Sequence, residues 1–439
     1  MERSSLNSPT YRIYTRIKMR FFKLLYAKLP AMLYRLLSAS FLLFAISATA
    51  QYKNDNVLYK TVDPNDLCAT LEKNKGYILL DVRSKGEHYD TSSFTGLNIG
   101  HLKGAININV RELGQRLSEI DSYKDQPVFV YCSHSQRSRR ASKMLADSGY
   151  SNIFNINGGM TAIYYTNAIE KGCLQSLVET NNKYAIISAI DLCKKLSEKD
   201  NEVFMLDVRT DSAFRHISTD PQTNAYGTFR QAINIPLGDL EMKLSAVPKD
   251  KDIVVTDLFG SDAPKAALLL KEKGYARVSF LIEGIDRWLS TDEKDLSCKK
   301  QLYISPVRYQ VMGTTEFGRF TQTNKDYLLL DIRTAEIFAN KHKDSFRNTG
   351  HLKNAINIPS ADIASRLAEL EMYKNKEVVI YGFGGDSEAY ANAEILIQQG
   401  FKKVKVLVDG LFGIRWTAAN IKDQAYLKDL VTDVPEINR

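Results

Sequence analysis

The chain has 439 residues, 44% of them hydrophobic and 25% charged. That suggests two to four globular domains and excludes a disordered or collagen-like polymer. Five Cys over this length exclude a small disulfide scaffold. The formal charge of +8 does not announce a nucleic-acid binder. Residues 1–50 hold eight Lys/Arg and one acid, so 51 of the 59 basic and 50 of the 51 acidic residues fall after position 50. A near-neutral body has no broad electrostatic footprint for a phosphate backbone, and no nucleic-acid partner is expected.

The first element in chain order is a targeting segment. Residues 36–46 form an apolar run without charge, Arg35 precedes it, and Ala48-Thr49-Ala50 follows. This is the basic, apolar and small-residue order of a secretory signal peptide. Residues 1–50 are expected to be that signal, cleaved after Ala50, with the protein exported to a periplasm or secreted. The run is shorter than the roughly 20 apolar residues of a membrane span, so no stable membrane insertion is expected after cleavage. An uncleaved anchor and a mitochondrial presequence are the weaker readings. Met19 and Met32 offer internal starts for a shorter leader.

Past the leader, one pattern occurs three times. Asp81-Val82-Arg83 recurs as Asp207-Val208-Arg209 and as Asp331-Ile332-Arg333. The string from Gly100 to Ile108 recurs from Gly227 to Ile235 and from Gly350 to Ile358. Asn157-Gly158-Gly159-Met160, Glu283-Gly284-Ile285-Asp286 and Asp409-Gly410-Leu411-Phe412 close the units. The period is far longer than the about 20–50 residues of a solenoid repeat. The pattern predicts tandem domains over 51–175, 176–300 and 301–422, with 423–439 as a C-terminal tail.

Within the first unit, residues 77–82 are a continuous apolar run ending in an acid, as in a buried parallel strand. Residues 127–131 are a second such run. Residues 138–147 place Ala141, Met144 and Leu145 at helical spacing, and Gly149 stops the helix. Residues 153–156 read as a third strand. Alternating strands and helices of these lengths predict an α/β fold with a parallel sheet flanked by helices in each unit. Ligands of such sheets bind beyond the carboxyl ends of the strands, which directs attention to the loop after Tyr131.

That loop reads Cys132-Ser133-His134-Ser135-Gln136-Arg137-Ser138. A tight loop between a buried strand and a helix can aim successive backbone N–H groups at an anion. The helix N-terminus adds partial positive charge and Arg137 adds a full one. Such a loop favours a thiolate over a thiol. The first unit therefore resembles a rhodanese domain, a sulfurtransferase module. The Asp-Val-Arg strand end, the Gly-His-Leu-Lys-Gly-Ala-Ile-Asn-Ile string, the Cys-x4-Arg-Ser loop and the late Gly-Gly all match that family in order.

The resemblance covers about residues 57–170 well, with weaker copies over 184–297 and 304–420. It implies that Cys132 accepts a sulfane sulfur from a small anionic donor such as thiosulfate, becoming a persulfide. The sulfur then passes to a thiophilic acceptor, a thiol or cyanide. Cys132 and Arg137 would be the catalytic pair. Ser133, His134, Ser135, Gln136 and Ser138 would bind substrate, chiefly through the backbone cradle. The related phosphatase and arsenate-handling folds use a wider Cys-x5-Arg loop, so the four residues between Cys132 and Arg137 favour sulfur. The competing reading is a non-catalytic scaffold or sulfur-carrier protein of the same fold.

Other motifs receive plainer readings. Asp81 and Arg83 recur in units without a loop Cys, which points to a structural ion pair. His101 recurs as His351 but is Thr228 in the second unit, and reads as a turn or capping residue. His134 is either a cation for the donor or a solvated loop residue. No metal-ligand spacing, CxxC, GxxxxGK or dinucleotide fingerprint is present, and no cofactor is expected. Cys68 and Cys193 read as core positions of helices. In an exported protein Cys173 and Cys298 could pair, but the sequence supplies no distance.

The remaining two loops have lost the nucleophile. Alignment on Ala141, Ala266 and Ala391 puts Asp257 and Gly382 at the Cys132 position, and Asp262 and Ser387 at the Arg137 position. Pro264 brings no N–H to a cradle, so nucleophile, charge and donors are all expected to be changed in unit two. These units resemble inactive copies of the family. They are expected to serve as packing partners or as docking surface for a protein partner.

Overall fold

The computed structural model describes residues 58–166, 168–199, 202–421 and 424–435. The expected signal segment and its cleavage point lie outside the described residues. Unit one contains β1 (Lys60–Val62), α1 (Leu67–Lys73), β2 (Ile78–Asp81), α2 (Lys85–His88), β3 (His101–Leu102), β4 (Ile106–Asn107) and β5 (Val128–Tyr131). It continues with α3 (Gln136–Asp147), β6 (Ile153–Ile156), α4 (Gly159–Ile163), α5 (Ala168–Leu177) and β7 (Val178–Glu179).

Unit two repeats the plan with β8 (Ala185–Ile187), α6 (Ala189–Lys199), β9 (Val203–Asp207), α7 (Asp211–Phe214), α8 (Pro221–Ala225), β10 (Thr228–Phe229), β11 (Ile233–Asn234) and β12 (Asp252–Thr256). Then come α9 (Ala263–Glu272), β13 (Val278–Leu281), α10 (Gly284–Ser290), α11 (Lys299–Leu302) and β14 (Tyr303–Ile304). Unit three holds β15 (Gln310–Met312), α12 (Thr314–Thr323), β16 (Tyr327–Asp331), α13 (Ala335–Phe338), β17 (His351–Leu352), β18 (Ile356–Asn357) and β19 (Glu377–Tyr381). It ends with α14 (Ser387–Gln398), β20 (Lys403–Leu407), α15 (Gly410–Asn420) and β21 (Val431–Thr432).

Each unit builds a five-stranded parallel sheet in one order, β1-β6-β5-β2-β4, repeated as β8-β13-β12-β9-β11 and β15-β20-β19-β16-β18. This is the α/β architecture of three tandem domains expected from the sequence. The central strand β5 is buried at all four residues, which is why its apolar run does not alternate. Helix α3 starts two residues earlier than its periodicity suggested and buries Ala141 and Leu145. Gly149, at φ +88°, ends it, and the Tyr150 N–H caps the Leu145 carbonyl. Gly274 with Tyr275, and Gly400 with Phe401, repeat that ending.

The recurring strings are structural. Arg83 donates to both oxygens of Asp81 (3.0 and 2.7 Å) and to the Gly100 carbonyl (2.7 Å), joining two of the repeated strings. Asn107 donates to the carbonyls of Asp81 (3.0 Å) and Arg83 (3.1 Å). Arg209 with Asn234, and Arg333 with Asn357, do the same. Burial alone would raise the Asp81 carboxyl, but the charge of Arg83 and hydrogen bonds from His88 and Arg83 outweigh it and hold it at about 2.

Two sequence expectations are corrected. First, antiparallel ribbons β3·β7, β10·β14 and β17·β21 close the units, so each last strand lies beyond the boundary drawn at 175, 300 or 422. Residues 424–432 belong to unit three, with Leu427 fully buried, and are no tail. Second, Cys68 and Cys193, read as plain core positions, are disulfide partners: the bridges are Cys68–Cys173 (Cα–Cα 6.5 Å) and Cys193–Cys298 (Cα–Cα 5.8 Å), and the Cys173–Cys298 pair left open by the sequence does not form. Each ties a helix at the start of a unit to the segment that returns past it at the end. Peptide mapping without reduction is expected to recover these two linked pairs, with Cys132 as the lone alkylated thiol; a Cys173–Cys298 peptide would contradict the packing.

The cores run across unit boundaries. Phe129 and Phe154 of unit one share a cluster with Leu206, Val255 and Phe280 of unit two. On the other face of that sheet, Val254, Leu281 and Trp288 join Leu330, Ile380 and Tyr390 of unit three. Unit three in turn reaches unit one, where Arg139 donates to the Ala419 carbonyl (2.5 Å) and Asn157 to that of Asn420. The carboxyl ends of the three sheets thereby border a cavity of about 1060 Å³ that is open to solvent on one side. Corresponding positions line it: Thr161, Asp286 and Phe412; Tyr165, Ser290 and Trp416.

Candidate active site

Cys132 follows β5 directly, is 1% exposed, and is the one free cysteine among the described residues. Its loop is braced by the turn before α4. Met160 N–H donates to the Cys132 carbonyl (2.8 Å) and Thr161 N–H to that of Ser133 (3.1 Å). That contact explains the late glycines. Gly159 has φ +59°, and a Cβ there would lie 2.2 Å from the Cys132 oxygen. Gly159→Ala is expected to cost about 2–3 kcal/mol through strain and overpacking. It should also displace the loop. A lowered melting temperature with an altered Cys132 alkylation rate would register both effects, and an unchanged melt would refute them.

The serines of the loop spend their hydroxyls on the protein. Ser135 sits at φ +77° and is buried; its hydroxyl donates to Asn157 (3.3 Å) and accepts from Gly158 N–H. Ser138 donates to Asn155 Oδ1 (2.6 Å). What these positions retain for an anion is backbone. The N–H groups of Ser133, His134 and Ser135 have no acceptor among the described residues. His134 pairs across the unit boundary with Glu283 (3.1 Å) and with Thr161 Oγ1 (3.2 Å), an arrangement neither sequence reading contained. Gln136 is exposed and lines the central cavity beside it.

Arg137 closes the loop with a partner that sequence reasoning missed. Its two terminal nitrogens each reach a Glu87 oxygen at 2.6 Å, and one also donates to Ser133 Oγ (2.9 Å). Glu87 is buried and completes a capping box with Ser84 at the start of α2. Burial opposes the Arg137 charge, but hydrogen bonding to Glu87 and the charge of Cys132 raise it above its ordinary value. Burial likewise opposes ionised Glu87, and Arg137 outweighs that to lower it. A signal was available in the repeats: the positions matching Glu87 are Ala213 and Ile337, in the two units that lack the arginine.

Loops two and three hold carboxylates against their own backbone. Asp257 accepts from the N–H groups of Gly260, Asp262 (2.5 Å) and Ala263 (2.9 Å). Burial still pushes its carboxyl up, against the pull of those three donors. The donors of unit two are changed in use, since the substituted loop keeps a cradle of N–H groups, none of them from Pro264, and fills it with its own carboxylate. Asp262 is turned away to Lys265 (2.7 Å). In loop three Asp386 accepts from Phe383 N–H (2.6 Å) and Gly384 N–H (3.2 Å). A Cβ on Gly382 would fall 2.0 Å from that carboxylate.

Three doubly covered parallel sheets, with a lone thiol on the central-strand loop of the first and an arginine closing that loop, define a tandem α/β protein with one thiol site. The model of the rhodanese-like domain matches residues 63–165, 189–291 and 319–416, and the chain belongs to the rhodanese-like family. The uncharacterized protein YqhL of Bacillus subtilis is 36% identical over 119 residues, 27% of this chain and 83% of that protein. The thiosulfate sulfurtransferase GlpE of Shewanella oneidensis is 30% identical over 110 residues, 25% of this chain and 97% of that protein. A solved thiosulfate sulfurtransferase from Pseudomonas aeruginosa aligns over 86% of this chain and 69% of its own at 16% identity, with a TM-score of 0.23.

Proposed function

We propose that unit one is a sulfurtransferase working through a Cys132 persulfide, and that units two and three are catalytically silent. The observation that carries this is the contrast between the loops. At one position the first offers a thiol beside unpaired backbone donors, while the others satisfy such donors with Asp257 or Asp386. The Cys132 thiolate attacks the outer sulfur of a donor such as thiosulfate. The S–S bond of the donor breaks, sulfite leaves with the bonding pair, and a persulfide anion remains on the loop. An acceptor thiolate or cyanide then attacks the terminal sulfur and returns the thiolate. The loop N–H groups hold the negative charge at each stage, and Arg137 compensates it.

Export is part of the same reading. Two disulfides in a chain that keeps one buried thiol free suit an oxidising compartment, in agreement with the small-residue site at Ala48-Thr49-Ala50. No helix among the described residues is long and apolar enough to cross a membrane. The decisive experiment is mass spectrometry of the intact protein after thiosulfate treatment. One sulfur atom added at Cys132, and removed by cyanide, is the expected result. No added sulfur under turnover conditions would overturn the mechanism.

A further inference from the structure

The central cavity is lined by two polar groups that have no hydrogen-bond partner among the described residues. Thr314, at the start of α12, is 4% exposed, and its Oγ1 has no hydrogen-bond partner among the described residues. Beside it stands Asp409, just before α15. A Cβ added to Gly413 would lie 2.2 Å from Asp409 Cβ and 2.8 Å from Thr314 Oγ1, so the two groups meet where the helix has no side chain. No described residue donates a hydrogen bond to the Asp409 carboxylate.

The charges around it do not balance. Glu283 and Asp286 of unit two act on Asp409 with the same sign, and Arg287 alone opposes them. Arg287 lies with its guanidinium 4.5 Å from the centre of the Tyr165 ring and its Nε 3.6 Å from Glu283, paired in charge but without a hydrogen bond between them. Among the described residues, Asp286 accepts only the neutral Tyr226 hydroxyl (2.5 Å). Burial, then the charge of Asp286, push Asp409 up to about 7. Trp416 and Phe412 add aromatic wall to the same cavity. Among the described residues no group of three or more His, Cys, Asp or Glu is arranged to hold a metal ion.

We propose that this cavity binds a small organic cation carrying N–H donors, a primary amine or a guanidinium. Its charged end lies between Asp409 and Thr314, and its carbon body lies against Phe412 and Trp416. Unpartnered acceptors require N–H groups, which a quaternary ammonium does not bring. Aromatic walls suit the body of such a cation. The cavity volume of about 1060 Å³ is of the size that holds small ligands. The assignment does not depend on sulfur transfer, although His134 and Gln136 of the Cys132 loop border the same space.

The bound cation favours the ionised form of Asp409, so binding releases a proton and tightens as pH rises through 7. The groups facing Asp409 are Glu283, Asp286 and Arg287 from unit two, Tyr390 on α14 and uncharged Thr314 on α12; His134 acts only through Glu283.

The test is titration calorimetry of the full chain with agmatine, against choline and uncharged 1,4-butanediol. Agmatine is expected to saturate one site and to release protons on binding at pH 7, as measured in buffers of different ionisation heat. Asp409→Asn should weaken it about tenfold or more and remove the proton release. Thr314→Val provides a second variant should the first misfold, and should weaken binding less. The inference fails if agmatine does not saturate at millimolar concentration, if both variants bind like wild type, or if choline or butanediol binds equally well.

Discussion

Cys132→Ser is expected to abolish sulfur transfer and leave the fold intact. The change replaces one buried sulfur with oxygen at a position that is 1% exposed, with no loss of backbone contacts. Met160 still donates to the carbonyl of residue 132, so the loop is held as before. The hydroxyl, however, stays protonated near neutral pH and forms no persulfide. Removing a covalent nucleophile outright costs at least about a thousandfold in turnover. Thiosulfate:cyanide activity within a few-fold of wild type, in a variant with an unchanged melt, would place the chemistry elsewhere. Units two and three could not take over, because each cradle is occupied by a carboxylate.

Glu87→Ala is expected to damage both stability and activity. It removes the bidentate partner of Arg137 and leaves a guanidinium whose side chain is only 32% exposed with Ser133 as its remaining partner. Breaking a largely buried pair from one side costs about 3 kcal/mol, somewhat less where the stranded charge can turn to water. Arg137 then no longer closes the loop over Cys132, and a misplaced reacting group loses about a hundredfold in rate.

Glu87→Gln separates charge from shape. The Glu87 carboxyl lies below its unfolded value, so its contribution is complete above that value and disappears as pH falls through the folded one. The stability gap between wild type and Glu87→Gln should therefore close in acid. A gap that stayed constant to pH 3 would show that hydrogen bonding, not charge, holds Arg137.

Much of this was legible in the residues because it is local or repeated. Asp81, Arg83, Gly100 and Asn107 recur since one set of hydrogen bonds locks the end of β2 in every unit. The Cys132 loop announces itself by standing between a fully buried strand and an amphipathic helix. What escaped was long-range. Glu87 lies 50 residues before Arg137, and nothing local marks it as more than a capping residue. The disulfide partners depend on α5 folding back beside α1, a tertiary distance. Equal spacing suggested Cys173 with Cys298, but those residues occupy equivalent places in different units. The filled cradles were not legible because residue type alone does not say which way a carboxylate turns. In the fold Asp257 turns inward to N–H donors and Asp262 turns outward to a lysine.

The two loops without a thiol stand at different mutational distances from the Cys132 loop. In unit two the carboxylate that fills the cradle is itself at the nucleophile position, so Asp257→Cys removes the occupant and installs a thiol in a single change. Asp262 would still stand where Arg137 does. In unit three the occupant, Asp386, is a neighbour, and its oxygen lies 2.0 Å from where a side chain at 382 must begin. Gly382→Cys must therefore push the Asp386 carboxylate off the Phe383 and Gly384 N–H groups. In the third loop the new side chain and the occupant of the cradle are thus two coupled residues, whereas in the second they are one. That is epistasis imposed by one carboxylate.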